Sequence, residues 1–204
     1  MWRMGRFTVD DLGVLPDWGL RAEVLDGRLL LAPPASRRHD RVVHNLVTRV
    51  RPALPGGVRV RAGQPVRLSD GDGPVPDLVV VAGEDAVAAG TAGPVPVAGV
   101  HTVLEVVCAD GRFLDRVWKR DRYGEAGVPC YWRVELAPWP GYRGPGPVIV
   151  ARVREPGGWR EVVAAPGRVG AVPLAYGRGP GGVALAVPVR LDPGALLVRQ
   201  ASTR

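Results

Sequence analysis

The sequence predicts an α/β fold in which helices flank a mixed β-sheet, with additional β-hairpins in its N- and C-terminal parts. Three observations carry that expectation. Residues 36–54 have the spacing of an amphipathic helix, and short apolar runs at Asp77–Val81, His101–Val107 and Cys130–Glu135 have the length and composition of strands. Between the last two runs, residues 112–126 return to helical spacing, which supplies a crossover between sheet neighbours.

The elements follow in order. Thr8, followed by Asp10, Asp11 and Leu12, starts a short helix that Pro16 ends. Two apolar runs then flank Asp26-Gly27 between Glu23 and Leu31, a strong short-range signal for a hairpin. After Pro33-Pro34, the apolar residues Val42, Val43, Leu46, Val47 and Val50 recur at intervals of three and four, and Pro55-Gly56-Gly57 stops that helix. Strands are expected over Val58–Ala62 and Gln64–Leu68, and Ala82–Gly99 reads as a loop with a weak helical turn. In the second helix Phe113, Leu114, Val117 and Trp118 form the apolar stripe, and Gly127 closes it. A Pro/Gly loop at 138–147, a hairpin of Val148–Arg154 with Trp159–Val163, a strand at Val187–Leu191 and a short helix opened by Asp192-Pro193 complete the chain.

At 204 residues the chain is long enough for one domain with its own hydrophobic core. Gly at 28 and Pro at 21 approach the level of a disordered composition, but the clustering of apolar residues into runs argues for a folded protein. No apolar stretch reaches membrane-span length and the opening residues lack an apolar signal core, so the expectation is a soluble, unexported, cytoplasmic protein with no membrane association. Cys108 and Cys130 have no paired spacing, which points to reduced thiols rather than a disulfide scaffold or a zinc site. A net charge of +7 favours a polyanionic partner. Of the 27 cationic residues, 26 are Arg, so part of that charge reflects a compositional bias, and Lys119 stands alone in its kind.

Chemistry concentrates at a few positions. Glu105 interrupts an otherwise apolar strand, where an ionised carboxylate costs several kcal/mol unless a cation or hydrogen bonds compensate it. Asp77 heads a second apolar strand, and two acids on neighbouring strands suit a hard, oxygen-seeking cation such as magnesium. The alternative for both is ordinary: turn chemistry after Pro76 for Asp77, and an edge position or an Arg partner for Glu105. Asp115 and Lys119 lie four apart, off the apolar stripe, so spacing alone makes them a surface pair worth roughly 0.3–0.5 kcal/mol. A lone ammonium among so many guanidinium groups argues instead for a place that needs a compact cation. His39 and His44 share no helix face and His101 is on a strand, so the histidines form no metal cluster. Neither a nucleophile triad nor a phosphate-binding glycine loop has local support.

The order Glu23-Val24-Leu25-Asp26-Gly27, His39 at a helix start, Pro76-Asp77-Leu78-Val79-Val80-Val81, Leu104-Glu105-Val106-Val107, Asp115-Arg116-Val117-Trp118-Lys119, Tyr123, Gly127-Val128-Pro129 and Tyr131-Trp132 resembles the Uma-two family of restriction endonucleases, within the PD-(D/E)XK nuclease superfamily. The resemblance spans about Phe7 to Glu135, and Val187–Asp192 is similar to the family's tail. It implies one nuclease-like domain over 1–204, with a restriction-endonuclease-like core at about 7–136 and a β-rich extension at about 137–204. It further implies a magnesium-dependent (or manganese-dependent) endonuclease that hydrolyses DNA, acts as a homodimer and needs no organic cofactor. Asp77, Glu105 and the Val106 carbonyl are then the metal ligands, and Asp77, Glu105 and Lys119 the catalytic set. The superfamily's usual lysine place, two residues after the acid, holds Val107, and Lys119 on the next helix takes the role. Glu23, His39 and Asp115 are supporting residues, Asp115 by orienting Lys119. Arg37, Arg38, Arg41 and Arg49 are placed to track a nucleic-acid backbone, while Tyr123 and Trp132 belong to packing. The chain departs from the family at Cys108-Ala109-Asp110-Gly111, beside the expected metal, and at Cys130 and Glu135, where a Glu and an Asp are usual. The rival expectation is a non-catalytic nucleic-acid-binding or regulatory domain that keeps the fold, and a third is a partner-binding surface on the β-rich tail.

Overall fold

A computed structural model describes residues 6–83, 93–107 and 114–198 of the chain. A capped helical turn at Val9–Gly13 precedes the hairpin β1 (Arg21–Leu25) and β2 (Arg28–Ala32), then α1 (Arg37–Val50), β3 (Arg59–Ala62), the two-residue β4 (Val66–Arg67), β5 (Leu78–Val81), the two-residue β6 (Val95–Pro96) and β7 (Val100–Val107). A π-helical turn at Leu114–Trp118 runs into α2 (Lys119–Glu125), and β8 (Cys130–Glu135), β9 (Val148–Glu155), β10 (Gly158–Ala164), β11 (Gly170–Arg178), β12 (Ala184–Leu191) and a terminal 3-10 turn (Pro193–Leu197) follow. Six strands form the central sheet in the order β10-β9-β8-β7-β5-β3. Only the β7–β8 pair is parallel, and α2 is the crossover that makes it so. The predicted α/β fold with a mixed sheet and flanking hairpins is therefore the one observed.

Local chemistry explains most elements. Asp26 and Gly27 both have positive φ, 50° and 71°, the geometry that a two-residue hairpin turn requires. Ser36 caps α1 by accepting from the His39 amide, and Val42, Leu46 and Val50 form its buried stripe. That stripe packs on Leu78, Val80, Leu104, Val106 and Trp132 from one face of the sheet. β11 and β12 cover the same face, and Trp132 Nε1 and Thr102 Oγ1 donate to the carbonyls of Pro173 and Ala175, each at 2.7 Å. Asn45 joins α1 to the terminal turn by donating to Leu196 and Val198 carbonyls. The opposite face carries Val79, Val81, Val103 and Tyr131 against Tyr123 of α2.

Three details depart from the sequence reading. β11 lies in a stretch that periodicity does not single out, since Pro173 and the bulge at Ala175/Gly177 break its alternation; it is held by β12 and by core contacts. In the second helix the buried stripe is Asp115, Lys119 and Tyr123, while Val117 is 40% exposed. In the expected loop with a helical turn at Ala82–Gly99, the structure has the short strand β6 and a 3-10 turn at Val97–Gly99, while residues 84–92, Phe113 and the loop Cys108–Gly111 lie outside the described residues.

Two outcomes are expected. Trp132 is fully buried, so Trp132→Ala should cost about 3–5 kcal/mol in equilibrium urea unfolding. Burial, and then the charge of Arg178, pushes His101 down to about 4 from 6.5. Between those values the unfolded chain binds more protons, so this stability is complete above the unfolded pKa and is lost as pH falls towards about 4. Urea midpoints should drop on acidification through that window in the wild type and drop less in His101→Gln.

Candidate active site at a carboxylate-lined cleft

Pro76 and Asp77 lead into β5, whose pairing sets Leu78 opposite Leu104 of β7. Asp77 thereby meets Glu105 and Val106. Its amide donates to Glu105 Oε2 at 3.3 Å, and the Val106 amide donates to Asp77 Oδ2 at 2.7 Å. Two basic side chains complete the Asp77 environment: Arg21 Nη2 donates to Oδ1 at 3.0 Å and His39 Nε2 lies 3.0 Å from Oδ2. An ionised carboxylate only accepts, so Nε2 carries the proton in that bond. The Ser36 cap fixes the first turn of α1 so that His39, three residues on, points inward. Burial raises the Asp77 pKa, but the His39 hydrogen bond and charge, Arg21 and the Val106 amide outweigh it and hold the group below its ordinary value. For His39 burial acts downward and the hydrogen bond and charge of Asp77 prevail, so its pKa is raised.

Glu105 follows from strand parity. Leu104 and Val106 point to the α1 face, which sends Glu105, with Val103, to the α2 face. There it is 2% exposed, and Lys119, 4% exposed, donates from Nζ to Oε1 at 3.0 Å. The same ammonium donates to Glu23 Oε1 on β1 at 2.9 Å and lies 3.5 Å from Asp115 Oδ1. Tyr131 donates its hydroxyl to the Asp115 carbonyl at 2.6 Å, which pins the turn that carries the acid. Lys119 is thus a buried hub and not half of a surface pair. Burial would lower its pKa, but Glu105, Glu23 and Asp115 together raise it well above the ordinary lysine value. One ammonium shared by three acids leaves them under-compensated. Burial pushes Asp115 up to about 6 and raises Glu105 well above its ordinary value, with Lys119 opposing both shifts.

These groups open on a cleft of about 770 Å³ whose walls include Arg21, Glu23, Asp77, Glu105, Asp115 and Lys119. Arg38 lines it too and donates to the Leu136 carbonyl at 3.1 Å. The other predicted backbone-tracking arginines stand along α1 outside the cleft, Arg37 and Arg49 exposed and Arg41 half-buried. Sequence reasoning missed Arg21 and the pair formed by Arg116 and Glu135, which is bidentate at 2.6 Å for both bonds. Arg21 had a signal, because it lies two residues before Glu23 on the same strand and so shares its face.

Among the described residues no group of three or more His, Cys, Asp or Glu side chains is arranged as a ready metal cage. Asp77 and Glu105 nonetheless bring carboxylate oxygens together, the donor type that a hard divalent cation takes. The raised pKa of Glu105 also marks a buried acid that Lys119 only partly compensates.

The sequence profile of the Uma2 (Uma-two) family, described as "Putative restriction endonuclease", matches residues 9–174. The chain belongs to the Uma2 family. A solved structure of a "putative nuclease belonging to DUF820" from Anabaena variabilis is similar to the Uma2 chain with a TM-score of 0.60 at 14% identity, covering 94% of this chain and 99% of that one. That likeness concerns the fold. No curated protein matches the chain. Family membership supports a nuclease function, that of a hydrolase acting on nucleic acid. No helix among the described residues is long and apolar enough to cross a membrane.

Removing the shared cation should expose the cost of the buried acids. Lys119→Met should lower stability by about 3–5 kcal/mol at neutral pH, the range for breaking a buried ion pair by deleting one partner. Urea unfolding checks it, with the half-buried surface-pair control Arg120→Met expected to lose no more than about 1 kcal/mol.

Proposed function

We propose that the Uma2 chain is a divalent-metal-dependent endonuclease that hydrolyses DNA phosphodiester bonds, with Asp77, Glu105 and Lys119 as its catalytic residues. The observation that carries this reading is the meeting of two buried carboxylates and the chain's single lysine at the floor of an open cleft. Asp77, Glu105 and the Val106 carbonyl would hold the cation, magnesium or manganese. Such an ion supplies charge neutralisation of the phosphate and a more acidic water.

The chain's own groups do the rest. Arg21 and His39 keep Asp77 ionised, so that it offers a full negative charge to a cation. Glu23 and Asp115 hold Lys119 protonated at Nζ and aimed at Glu105, where the ammonium positions the attacking water and stabilises charge gathering on the phosphoryl oxygens. Arg38 at the cleft, and Arg37, Arg41 and Arg49 along α1, bind flanking phosphates and fix the strand's register without reading its sequence. We take the whole chain as one functional domain that works in the cytoplasm as a homodimer without an organic cofactor.

The rival reading is a nucleic-acid-binding domain without turnover. It draws on the neutralisation of Asp77 by Arg21 and His39 in the present arrangement. One assay separates the two: nicking of supercoiled plasmid with magnesium, with manganese and with chelator. The nuclease reading expects metal-dependent nicking that falls by at least about a hundredfold in Asp77→Asn, Glu105→Gln and Lys119→Met, the scale of losing one preorganised electrostatic contact. Equal nicking by folded variants, or none by the wild type in either metal, sinks it.

A further inference from the structure

The cleft is charged at its floor but apolar along one wall. Leu30 lies directly opposite Glu23 in the β1–β2 register, and Ala32 directly opposite Arg21. Both therefore share the face of the hairpin that looks towards Lys119 and Asp77. The chain continues past β2 through Pro33 and Pro34, which also line the cleft and are exposed. Across from this wall, Leu114 lines the cleft from the turn before α2. Among the described residues neither Leu30 nor Leu114 belongs to either hydrophobic core cluster, and both are only half-buried.

An intact duplex offers a nuclease cleft its sugar–phosphate exterior, and its bases are stacked out of reach of a side wall. Arg21 and Arg116 already pair with Asp77 and Glu135, so the exposed Arg38 is the guanidinium offered to a phosphate, and an unpaired strand adds base faces for Leu30, the Pro33-Pro34 segment and Leu114. Outside the cleft lining, Arg116 also approaches an aromatic pair. Arg116 stands 6.0 Å from the Trp139 ring, and Trp139 stacks on Tyr142 with centroids 4.6 Å apart.

We propose that this cleft receives a single, unpaired nucleic-acid strand, with its bases against the Leu30 and Pro33-Pro34 wall and a phosphate over Arg38. The substrate class is then single-stranded or locally unpaired nucleic acid. This deepens the nuclease reading of the same site and rests on it for the reaction, whereas the binding preference is measurable without turnover.

The test is equilibrium binding by fluorescence anisotropy in the presence of chelator, using the full chain. Three probes of equal length are compared: a fluorescein-labelled oligothymidylate, its abasic analogue and the corresponding duplex. The expected result is that the oligothymidylate binds at least about fivefold more tightly than either of the others, because base contacts to apolar and aromatic surfaces add to the shared phosphate term. Leu30→Ser should bring the oligothymidylate close to the abasic probe while leaving abasic binding unchanged. Equal or tighter binding of the duplex, equal binding of the abasic strand, or a Leu30→Ser protein with the wild-type preference overturns the proposal. If single-stranded circular DNA as well as the plasmid stays uncut with magnesium and with manganese, beside a clear single-strand preference, the nuclease reading falls and this one stands.

Discussion

The ammonium of Lys119 lies 2.9 Å from Glu23, 3.0 Å from Glu105 and 3.5 Å from Asp115, so a strand of the N-terminal hairpin, a central strand and the crossover helix all terminate on one cation. None of those acids is at ease without it. Glu105 in particular is 2% exposed, and the desolvation cost of a bare carboxylate there is several kcal/mol. Compensation exists only while β1, β7 and α2 keep their mutual positions. The ion cluster therefore constrains the tertiary arrangement at the same place where it concentrates charge. Apolar packing cannot do this, because it is non-directional and tolerates sliding.

A second network meets the first through the backbone. Asp77 receives Arg21, His39 and the Val106 amide, and its own amide reaches Glu105. The two acids thus sit side by side in unlike electrostatic settings, one held ionised by His39, Arg21 and a backbone amide and the other raised by burial that a shared ammonium only partly offsets. Environments that push neighbouring titratable groups apart are typical of sites that handle protons or cations. The sheet makes the juxtaposition possible. Pairing of β5 with β7 brings together residues 28 positions apart, and strand parity turns Glu105 away from the α1 core and towards Lys119.

Much of this was legible from the chain alone, for identifiable reasons. Asp26-Gly27 specifies its turn because both residues tolerate positive φ, and Val42, Leu46 and Val50 specify which side of α1 is buried because apolar spacing of four tracks one helix face. Glu105 was conspicuous as an acid in an apolar strand. The second helix was read with the wrong face inward, since periodicity counts apolar residues, and there the buried face carries Asp115 and Lys119. The scarcity of lysine was the better guide. β11 was missed because proline and a bulge interrupt its pattern while its stability comes from Trp132, Thr102 and β12, all distant in sequence.

Composition, periodicity and turn chemistry are local properties, and they were enough for the fold class, the order of the main elements other than β11, and the identity of the unusual acids and the lone lysine. The family resemblance added the grouping of those residues into one site, and the sequence profile bears the family out. Which partner neutralises which charge was decided only when the strands paired and α2 packed down, because electrostatic compensation depends on separations of a few ångströms between residues up to 96 positions apart. The same holds for the apolar wall of the cleft. Leu30 is an ordinary strand leucine in the sequence, and it becomes unusual only because the fold leaves it beside the charged floor and outside both core clusters.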